Sequence, residues 1–434
     1  MPLSASLADP IIDHIQVEPA PLIVGLSDLA GRVFRGENVD LLWSTLLARA
    51  TSDPPDFGAA FDLSLLSQLV GRRDEGLELQ RQTLALGRRF RHVYGDGSGL
   101  HLLVLMAPGD FMANTPVDFL LDGSNVTIEL LFLDPLGQLP ADLPEHDVAF
   151  LAVGESDQNQ ALLETLAARE HWPRPTLNGA AAGILRLRRD LAADLLAGVP
   201  GLLAPVTARI DRQTLALAAA GQVDLAERLG GHGWPIIARP VGSHAGIGLE
   251  RIDAPADLTR WLAGQDGDAF YVAPFIDYRG PDGQFRKYRI VFVGGAPFLA
   301  HLAISEHWMV HYLNAGMLED SAKRDEEALV MRTFDAGFAA RHRRALEALQ
   351  ARFGLDYFGI DCSETADGRL LVFETDNALI VHDMDPPDVF PYKSATVRAL
   401  FASFQDLLAH AFAASKSAKA PPDLVLPASP DRWS

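Results

Sequence analysis

Cysteine is scarce in this chain of 434 residues, since Cys362 is the only one. A single cysteine excludes an internal disulfide bond and a zinc site built from cysteines, and it fits a reducing compartment. The start of the chain does not place a basic segment before an apolar core, and no stretch reaches the ~20 apolar residues that a membrane span requires. The sequence therefore predicts a cytoplasmic protein that does not interact with a membrane.

Positive charge is also scarce. The chain has 37 Lys and Arg residues against 57 Asp and Glu residues, which gives a formal net charge of −20. Such a charge repels the phosphate backbone of nucleic acids, so we expect no nucleic acid partner. An anionic nucleotide could still bind where Lys, Arg and metal ions are clustered.

The hydrophobic pattern divides the chain into four segments. Residues 1–98 have helical periodicity, and the stretch 66–87 resembles one tetratricopeptide unit, although a single copy predicts only a short helical hairpin. Residues 99–175 alternate short apolar runs with a helix, which is typical of a small α/β domain. Residues 176–414 predict an α+β domain rich in hairpins, with a long helix near 335–352. Residues 415–434 carry four prolines and predict a flexible tail.

A candidate metal site lies in the stretch YFGIDCSETADGRLLVFETDN. A two-residue turn centred on Asp367 and Gly368 would place Asp361 directly opposite Glu374, with Asp376 on the same face. Opposed carboxylates repel each other unless a cation lies between them, and oxygen ligands suit Mg²⁺. The alternative is a set of solvated residues on an exposed sheet face.

Two further segments point to an anionic ligand. The strand that ends at Arg239 runs into a glycine-rich loop, residues 242–248, whose backbone could approach phosphate oxygens, although an ordinary glycine hairpin has the same composition. In FRKYRIVFV the two-residue alternation places Lys287 and Arg289 on one face of a strand. An edge strand guarded by basic residues is the alternative.

In this order the motifs resemble those of the ATP-grasp superfamily, and in particular glutathione synthetase-like and RimK-like carboxylate–amine ligases. IIARPVGSHAGIG is similar to the phosphate loop of that superfamily, YVAPFID to the adenine hinge, KYRIVFVGG to the arginine strand, and IDC with FETDN to the magnesium carboxylates. The resemblance covers residues 176 to about 412. It implies an ATP-grasp fold, in which two α+β subdomains clasp ATP, preceded by a small α/β domain and a helical region.

The resemblance also implies a ligand for each motif. The residues that would bind or cover the nucleotide phosphates are Arg189, Arg239, Ser243, Gly246, Gly248 and Lys287. Those that would hold adenine and approach the ribose are Pro274, Phe275, Ile276 and Asp277. Those that would bind Mg²⁺ are Asp361, Glu374 and Asp376 or Asn377. Arg289 would meet the transferred phosphoryl group.

Three positions depart from the usual pattern of the superfamily. Arg239 stands where lysine is common, and it offers a planar fork in place of a point charge. Ala273 and Pro274 stand where the hinge commonly has an acidic residue, and Asp376 stands where asparagine is usual, with Asn377 following it.

The chemistry that the resemblance implies is the activation of a carboxylate as an acyl phosphate and its coupling to an amine, with release of ADP and phosphate. The substrates would be small-molecule or peptide acids and amines, and the resemblance leaves a homodimer open. A carboxylate kinase and a non-catalytic nucleotide- or peptide-binding protein are the alternatives. Either His311 or His382 could deprotonate the amine. The predicted substrate contacts are His301, Tyr312, Asn314 and Lys393.

Overall fold

A computed structural model describes residues 19–134, 136–137, 139–140, 143–169, 171–243 and 246–419. In these residues helices alternate with three separate β-sheets, and the predicted mixed α+β class is confirmed. Residues 1–18, 420–434 and the pair His244–Ala245 of the glycine loop lie outside the described residues.

The described N-terminal residues begin with four helices, α1 (Leu26–Phe34), α2 (Asp40–Ala50), α3 (Phe57–Leu69) and α4 (Arg73–Leu86). Helix α3 is buried along most of its length and packs against α4, which gives the predicted helical hairpin. The tetratricopeptide-like character of this pair remains a prediction. Helix α1 is fixed at its start, because Asp62 accepts hydrogen bonds from the backbone of Val24 and Gly25, and Asp118 accepts one from Leu26.

The first sheet has the strand order β1-β3-β2-β4-β5, and all neighbours are parallel except β1 and β3. Its elements are β1 (Arg89–Val93), β2 (His101–Met106), α5 (Val117–Leu120), β3 (Thr127–Phe132), β4 (Val148–Leu151), α6 (Gln160–Ala167), β5 (Thr176–Leu177) and α7 (Ala181–Leu185). Strand β1 corrects the expectation of a purely helical segment up to residue 98. This antiparallel edge strand follows α4 closely and is not itself followed by a helix. Its short alternation could therefore not be distinguished in the sequence from the end of α4.

The second sheet belongs to a small subdomain with its own core. The chain reaches it through α8 (Arg189–Leu196) and β6 (Leu202–Leu203) and then forms β7 (Ala208–Asp211), α9 (Arg212–Ala219), β8 (Ile236–Pro240), β9 (Glu250–Ile252), α10 (Pro255–Ala263) and β10 (Ala269–Pro274). The antiparallel order is β7-β10-β8-β9. Trp261 and Phe270 contact edge to face in its core, with ring centroids 5.1 Å apart.

The third sheet has the order β12-β11-β13-β14-β6. Its remaining elements are β11 (Phe285–Val293), β12 (Ala296–Ser305), α11 (Ser321–Thr333), α12 (Arg343–Phe353), β13 (Tyr357–Glu364), β14 (Leu370–Asp376) and α13 (Lys393–Lys419). Gly294 and Gly295 join β11 to β12 with φ values of 57° and 87°, which only glycine adopts readily.

Two expectations for this part of the chain need correction. The helix expected near 335–352 is interrupted, because this range holds a π-helical turn at Asp335–Ala339 followed by α12, and a separate helix, α11, precedes it. Helix α13 continues past residue 415, where a loose tail was expected to begin.

The cores show how the sheets are grouped. Side chains of the first and third sheets share two continuous apolar clusters, one on each side of the first sheet, whereas the second sheet has a separate cluster. A subdomain with a separate core meets the rest of the chain along a cleft, because the facing surfaces are not packed into one interior. The candidate site lies in this cleft.

Candidate active site

The hairpin of β13 and β14 carries the predicted carboxylate pair. Asp361 is directly opposite Glu374, as the sequence predicted. The turn nevertheless contains three residues instead of two, because the Thr365 amide donates to the carbonyl of Arg369 at 2.9 Å. A β-bulge after Asp361 leaves Phe373 without a partner and restores the predicted register. Without that bulge Asp361 would lie opposite Phe373.

Strand β11 brings two cations to Asp361. Arg289 is directly opposite Asp361, and its Nε and Nη2 donate to Oδ1 and Oδ2 at 2.9 and 3.1 Å. Lys287 lies two residues away on the same face, and its Nζ is 3.0 Å from Oδ2. The predicted shared face of Lys287 and Arg289 is therefore confirmed. Two cations face one carboxylate, which leaves a surplus of positive charge at this part of the wall.

Glu374 has a cation partner from outside the sheet. Arg189, the first residue of α8, donates from Nη2 to the Glu374 carboxylate. Arg239 lies near both, but it bonds to the glycine loop, where Nε donates to the Ser243 hydroxyl at 3.2 Å. Burial and the charge of Arg189 lower the pKa of Arg239 to about 10. Arg239 therefore remains protonated at neutral pH.

The side chains of Asp376 and Asn377 point to different surroundings. Asp376 lines the cleft, and its Oδ1 accepts the amide of Ala378 at 2.7 Å. The amide of Asn377 is buried against the part of the chain built on the first sheet, which we call the first domain. Its Nδ2 donates to the carbonyl of Val153 at 2.9 Å, and its Oδ1 accepts from the backbone of Glu155 at 3.3 Å. The expectation that Asn377 is an alternative metal ligand is corrected, because its side chain already joins the two domains.

The electrostatics separate the three carboxyl groups. Burial would raise the pKa of Asp361, but the charges of Arg289 and Lys287 outweigh it and hold that pKa well below its usual value. Burial acts in the same way on Glu374, where Arg189 and Arg239 outweigh it. Asp376 differs, because burial and the charge of Glu374 raise its pKa to about 7. Within the described residues no Lys or Arg forms an ion pair with Asp376.

These carboxylates fit a magnesium ion by their chemistry. Among the described residues no three His, Cys, Asp or Glu side chains are already arranged as a metal site. The reason is visible in the contacts, since Asp361 and Glu374 are turned to Lys287, Arg289 and Arg189. The set contains only hard oxygen donors, which are the ligands that Mg²⁺ prefers.

The predicted adenine hinge follows β10. Pro274, Phe275 and Ile276 all line the cleft, and the amide of Phe275 donates to the carbonyl of Pro235 at 3.0 Å. Asp277 does not line the cleft. It is turned to Arg279, which donates to it from the backbone at 3.1 Å, so the expected approach of Asp277 to a ribose is not seen.

The glycine loop contributes one of its predicted members to the cleft. Gly246 lines it with φ at 76°, and a β-carbon there would lie 3.3 Å from the sulfur of Met309 on the opposite wall. The Ser243 hydroxyl is instead bonded to the carbonyl of Pro240 at 2.8 Å. Gly248 packs on the second subdomain, where its carbonyl accepts from the Trp261 indole at 3.1 Å.

The cleft has a volume of about 800 Å³, which is within the range of small-molecule sites. Both signs of charge meet on its wall. The charged residues that line it are Arg189, Arg239, Lys287, Arg289, Lys393, Asp361, Glu374, Asp376 and Asp385. Cations outnumber acids there, and Asp376 has a raised pKa, so the cleft is locally basic in an acidic protein.

The predicted substrate residues lie together on this wall. His301 is directly opposite Arg289 on β12, and its ring is 4.8 Å from that of Tyr312. Lys393 donates to the Tyr312 hydroxyl and, at 2.8 Å, to Asp385. Asn314 also lines the cleft, but its Oδ1 accepts the backbone amide of His311 at 3.3 Å.

The histidines of the cleft are held neutral. Burial and the charge of Arg289 place the pKa of His301 well below its usual value. Burial also lowers the pKa of His311 and of His382. A neutral imidazole can accept a proton, so the protonation state fits the role predicted for His311 and His382.

Two features of the site have no signal in the sequence. Glu327 on α11 is fully buried and accepts hydrogen bonds from the hydroxyls of Tyr312 and Tyr392 at 2.9 and 2.7 Å. Glu327 belongs to a run of charged residues on a helix, and such a run is typical of a solvated position. Helix α1 supplies Ala30, Phe34 and neighbouring side chains to the cleft wall, although the sequence predicted only a separate helical region.

Comparison with known proteins finds structural similarity only. No protein-family model and no curated protein matches the sequence. A RimK domain ATP-grasp protein from Sphaerobacter thermophilus has 18% identity, covers 71% of this chain and 99% of its own, and has a TM-score of 0.39. A D-alanine–D-alanine ligase from Bacillus anthracis, complexed with ATP, has 12% identity, 74% and 100% coverage and a TM-score of 0.43. For the VanG D-Ala:D-Ser ligase from Enterococcus faecalis these values are 11%, 71%, 99% and 0.41.

At these identities and scores the similarity carries no function over to this chain. None of the described helices combines the length and the apolar character that crossing a bilayer takes.

Proposed function

We propose that this chain is an ATP- and Mg²⁺-dependent ligase of the ATP-grasp type, which activates a substrate carboxylate as an acyl phosphate and couples it to an amine. The observation that carries the proposal is the array on adjacent strands of the third sheet. Arg289, Asp361 and Glu374 lie side by side on β11, β13 and β14, and Arg189 closes the row. This row forms part of a cleft wall that also includes the hinge and Gly246 of the glycine loop.

The array suits phosphoryl transfer because such a reaction depends on positioning and on neutralising charge. Arg189 and Arg239 would bind the phosphates of ATP, and Pro274 to Ile276 would hold the adenine. Glu374 and Asp376, with Asp361, would hold Mg²⁺. The ion would neutralise charge on the phosphate oxygens when it is bound.

The residues around Arg289 would serve the acid and the amine. The surplus positive charge of Lys287 and Arg289 would orient the substrate carboxylate so that one of its oxygens attacks the γ-phosphorus of ATP, which releases ADP. The amine would then attack the carbonyl carbon of the acyl phosphate, and phosphate would leave. His311 or His382, both neutral, would take the proton from the attacking ammonium group.

The alternatives make different demands on the second substrate. A carboxylate kinase would release ADP with the acid alone and would not need the amine. A non-catalytic binding protein would bind the nucleotide without turnover, and it would not need Arg289 at the end of the row to meet a transferred phosphoryl group. The row therefore favours an enzyme.

The test is ADP release with Mg²⁺ and ATP in the presence of the acid alone, the amine alone and both, taken from panels of amino acids and short peptides. We expect ADP release that requires both. The variant Asp361→Asn should lose it, whereas Asp367→Asn, a change of the same kind at the exposed turn of the same hairpin, should not. ADP release with the acid alone would favour the kinase, and a folded protein that does not bind ATP would overturn the proposal.

A further inference from the structure

One part of the cleft wall is apolar and is formed outside the nucleotide motifs. We call it the apolar arm and define it by Ala30, Phe34, Phe119, Ala300, Val381 and Met384. Its members come from α1, from α5, from β12 and from the segment after β14. Most of them belong to or pack against one of the two large cores that the first and third sheets share, whereas the hinge residue Ile276 packs against the other. The apolar arm is therefore a separate part of the wall, built on a different interior.

The apolar arm begins at the reacting centre. The Nη1 of Arg289 donates to the carbonyl of Ile380 at 3.3 Å, one residue before Val381. Ala300 precedes His301, which is opposite Arg289. From there the wall continues through His382, whose ring lies 5.4 Å from that of Phe34 on α1 and 6.5 Å from that of Phe119. A group bound at Arg289 thus meets an apolar surface that includes the neutral imidazole of His382.

The charged groups beside the apolar arm are already satisfied. Asp385 is bonded to Lys393 at 2.8 Å, and Lys393 also donates to Tyr312. His382 is neutral, because burial lowers its pKa. The cleft wall here offers neither a free carboxylate for an ammonium group nor a free cation for a second carboxylate, among the residues that the structure describes. A charged group placed there would lose its hydration without compensation.

Helix α1 is held firmly enough to act as a wall. Its first turn is tied to Asp62 and Asp118 by backbone hydrogen bonds of 2.7 to 3.2 Å, and Leu29 is fully buried. Phe34, near the other end, remains 42% exposed and faces the cleft. An exposed aromatic side chain on a fixed helix, at the edge of a cleft, is a suitable contact for an apolar ligand.

From this arrangement we infer that the acid substrate carries an uncharged apolar group, aliphatic or aromatic, which packs in the apolar arm while its carboxylate lies at Arg289 and Lys287. The inference rests on the proposed function for the identity of the reacting carboxylate. It gives the N-terminal helical region a role, because α1 then selects the acid.

The first test measures the binding of straight-chain monocarboxylates, from acetate to octanoate, by calorimetry on the full chain. It is run with Mg²⁺ and a non-hydrolysable ATP analogue and again without them. Affinity should rise about fourfold for each added methylene until the arm is filled, as expected for the burial of one CH₂ group. Dicarboxylates of the same length should bind at least tenfold more weakly. Equal affinity along the series, equal binding of dicarboxylates, or no binding of any monocarboxylate would overturn the inference.

The second test compares Phe34→Asp with Leu41→Asp. Both place a carboxylate on an exposed helical position, but Leu41 on α2 is 80% exposed and lies outside the cleft wall. Phe34→Asp should weaken octanoate at least tenfold and leave acetate and the nucleotide analogue unchanged, whereas Leu41→Asp should change none of them. An unchanged affinity of Phe34→Asp for octanoate would contradict the inference.

The two proposals can fail separately. Dependence on chain length without any binding of the nucleotide would remove the proposed function and keep the apolar arm as a ligand site. Binding of the nucleotide and turnover without dependence on chain length would do the reverse. If Phe34→Asp does not fold, the series on the unmodified chain decides alone.

Discussion

Arg289 and Asp361 face each other across β11 and β13, and the guanidinium group holds both oxygens of the carboxylate, at 2.9 and 3.1 Å. This contact uses the planar fork of arginine, which a lysine ammonium group cannot reproduce. Lys287 reaches the same carboxylate as a point charge, at 3.0 Å. The two cations are therefore not interchangeable, and Arg289 has the geometry to follow a second carboxylate or a phosphoryl group.

Replacing Arg289 by lysine should lower kcat by roughly 10²–10³, the usual cost of removing one group that stabilises charge in a transition state. The KM for ATP should change little, because Arg189 and Arg239 would bind the phosphates. Arg286→Lys on the same strand is the matched control, since Arg286 pairs with Asp282 and Glu326 away from the cleft wall. Steady-state ADP release checks both variants, and equal losses would contradict the role of Arg289.

Asp376 and Asn377 are neighbours with different predicted functions. Asp376→Asn should weaken the binding of Mg²⁺, measured as the Mg²⁺ dependence of nucleotide binding, about tenfold or more, because it removes a charged oxygen ligand. Asn377→Ala should leave that dependence unchanged and lower the free energy of unfolding by about 1–3 kcal/mol, because it leaves the buried carbonyl of Val153 unpaired. Metal titration and urea denaturation of both variants check this. The opposite assignment would appear as a metal defect in Asn377→Ala.

Glu327 is a positioning residue in this account, since it orders Tyr312 and, through that tyrosine, Lys393. Glu327→Gln should lower kcat/KM for the acid about tenfold and leave the KM for ATP unchanged. Its half-buried neighbour in sequence, Glu326, which pairs with Arg286, provides the control Glu326→Gln. A merely structural role would instead lower the amount of folded enzyme and affect both substrates equally, which active-site titration would reveal.

We expect the stability of the protein to depend on pH through Asp62, the buried carboxyl group that fixes the start of α1. Burial raises the pKa of Asp62 to about 7, although two backbone amides donate to it. In the unfolded chain this pKa is about 3.9, so between about pH 4 and 7 the folded state binds a proton that the unfolded state has lost. This group alone then lowers the free energy of unfolding by up to about 1.4 kcal/mol for each pH unit of increase.

Asp62→Asn cannot bind that proton and should lack this contribution. Urea denaturation of both proteins at several pH values gives the difference in their unfolding free energies. We expect the original chain to lose stability relative to Asp62→Asn as the pH rises through this window. If the free energy of unfolding of the original chain, relative to that of Asp62→Asn, stays constant or rises with pH, the burial of an uncharged Asp62 is contradicted.

The local geometry of the site could be read from the sequence where alternation alone decides it. Strand alternation placed Lys287 and Arg289 on one face, and the hairpin placed Asp361 opposite Glu374. The prediction for the hairpin was right although it contained two errors, since it assumed a turn of two residues and no bulge after Asp361. The longer turn and the bulge each shift the register by one residue, in opposite directions. The apolar and acidic residues of these strands do not indicate where a bulge lies.

Positions that depend on contacts between distant segments could not be predicted. Asn377 bonds to the first domain, and Glu327 is buried by Tyr312 and Tyr392, so the identity of each residue says little about its surroundings. Helix α1 forms part of the cleft wall, and Asp62 and Asp118 fix its start. These contacts join residues that are far apart in the chain.

The most direct test of carboxylate activation follows the oxygen atoms. An acid from the panel, labelled with ¹⁸O in its carboxylate, is turned over with ATP, Mg²⁺ and the amine, and the released phosphate is examined by mass spectrometry. An acyl phosphate transfers one labelled oxygen to phosphate, so we predict ¹⁸O in the phosphate in a one-to-one ratio with the amide formed. Release of ADP and phosphate without ¹⁸O would contradict the account.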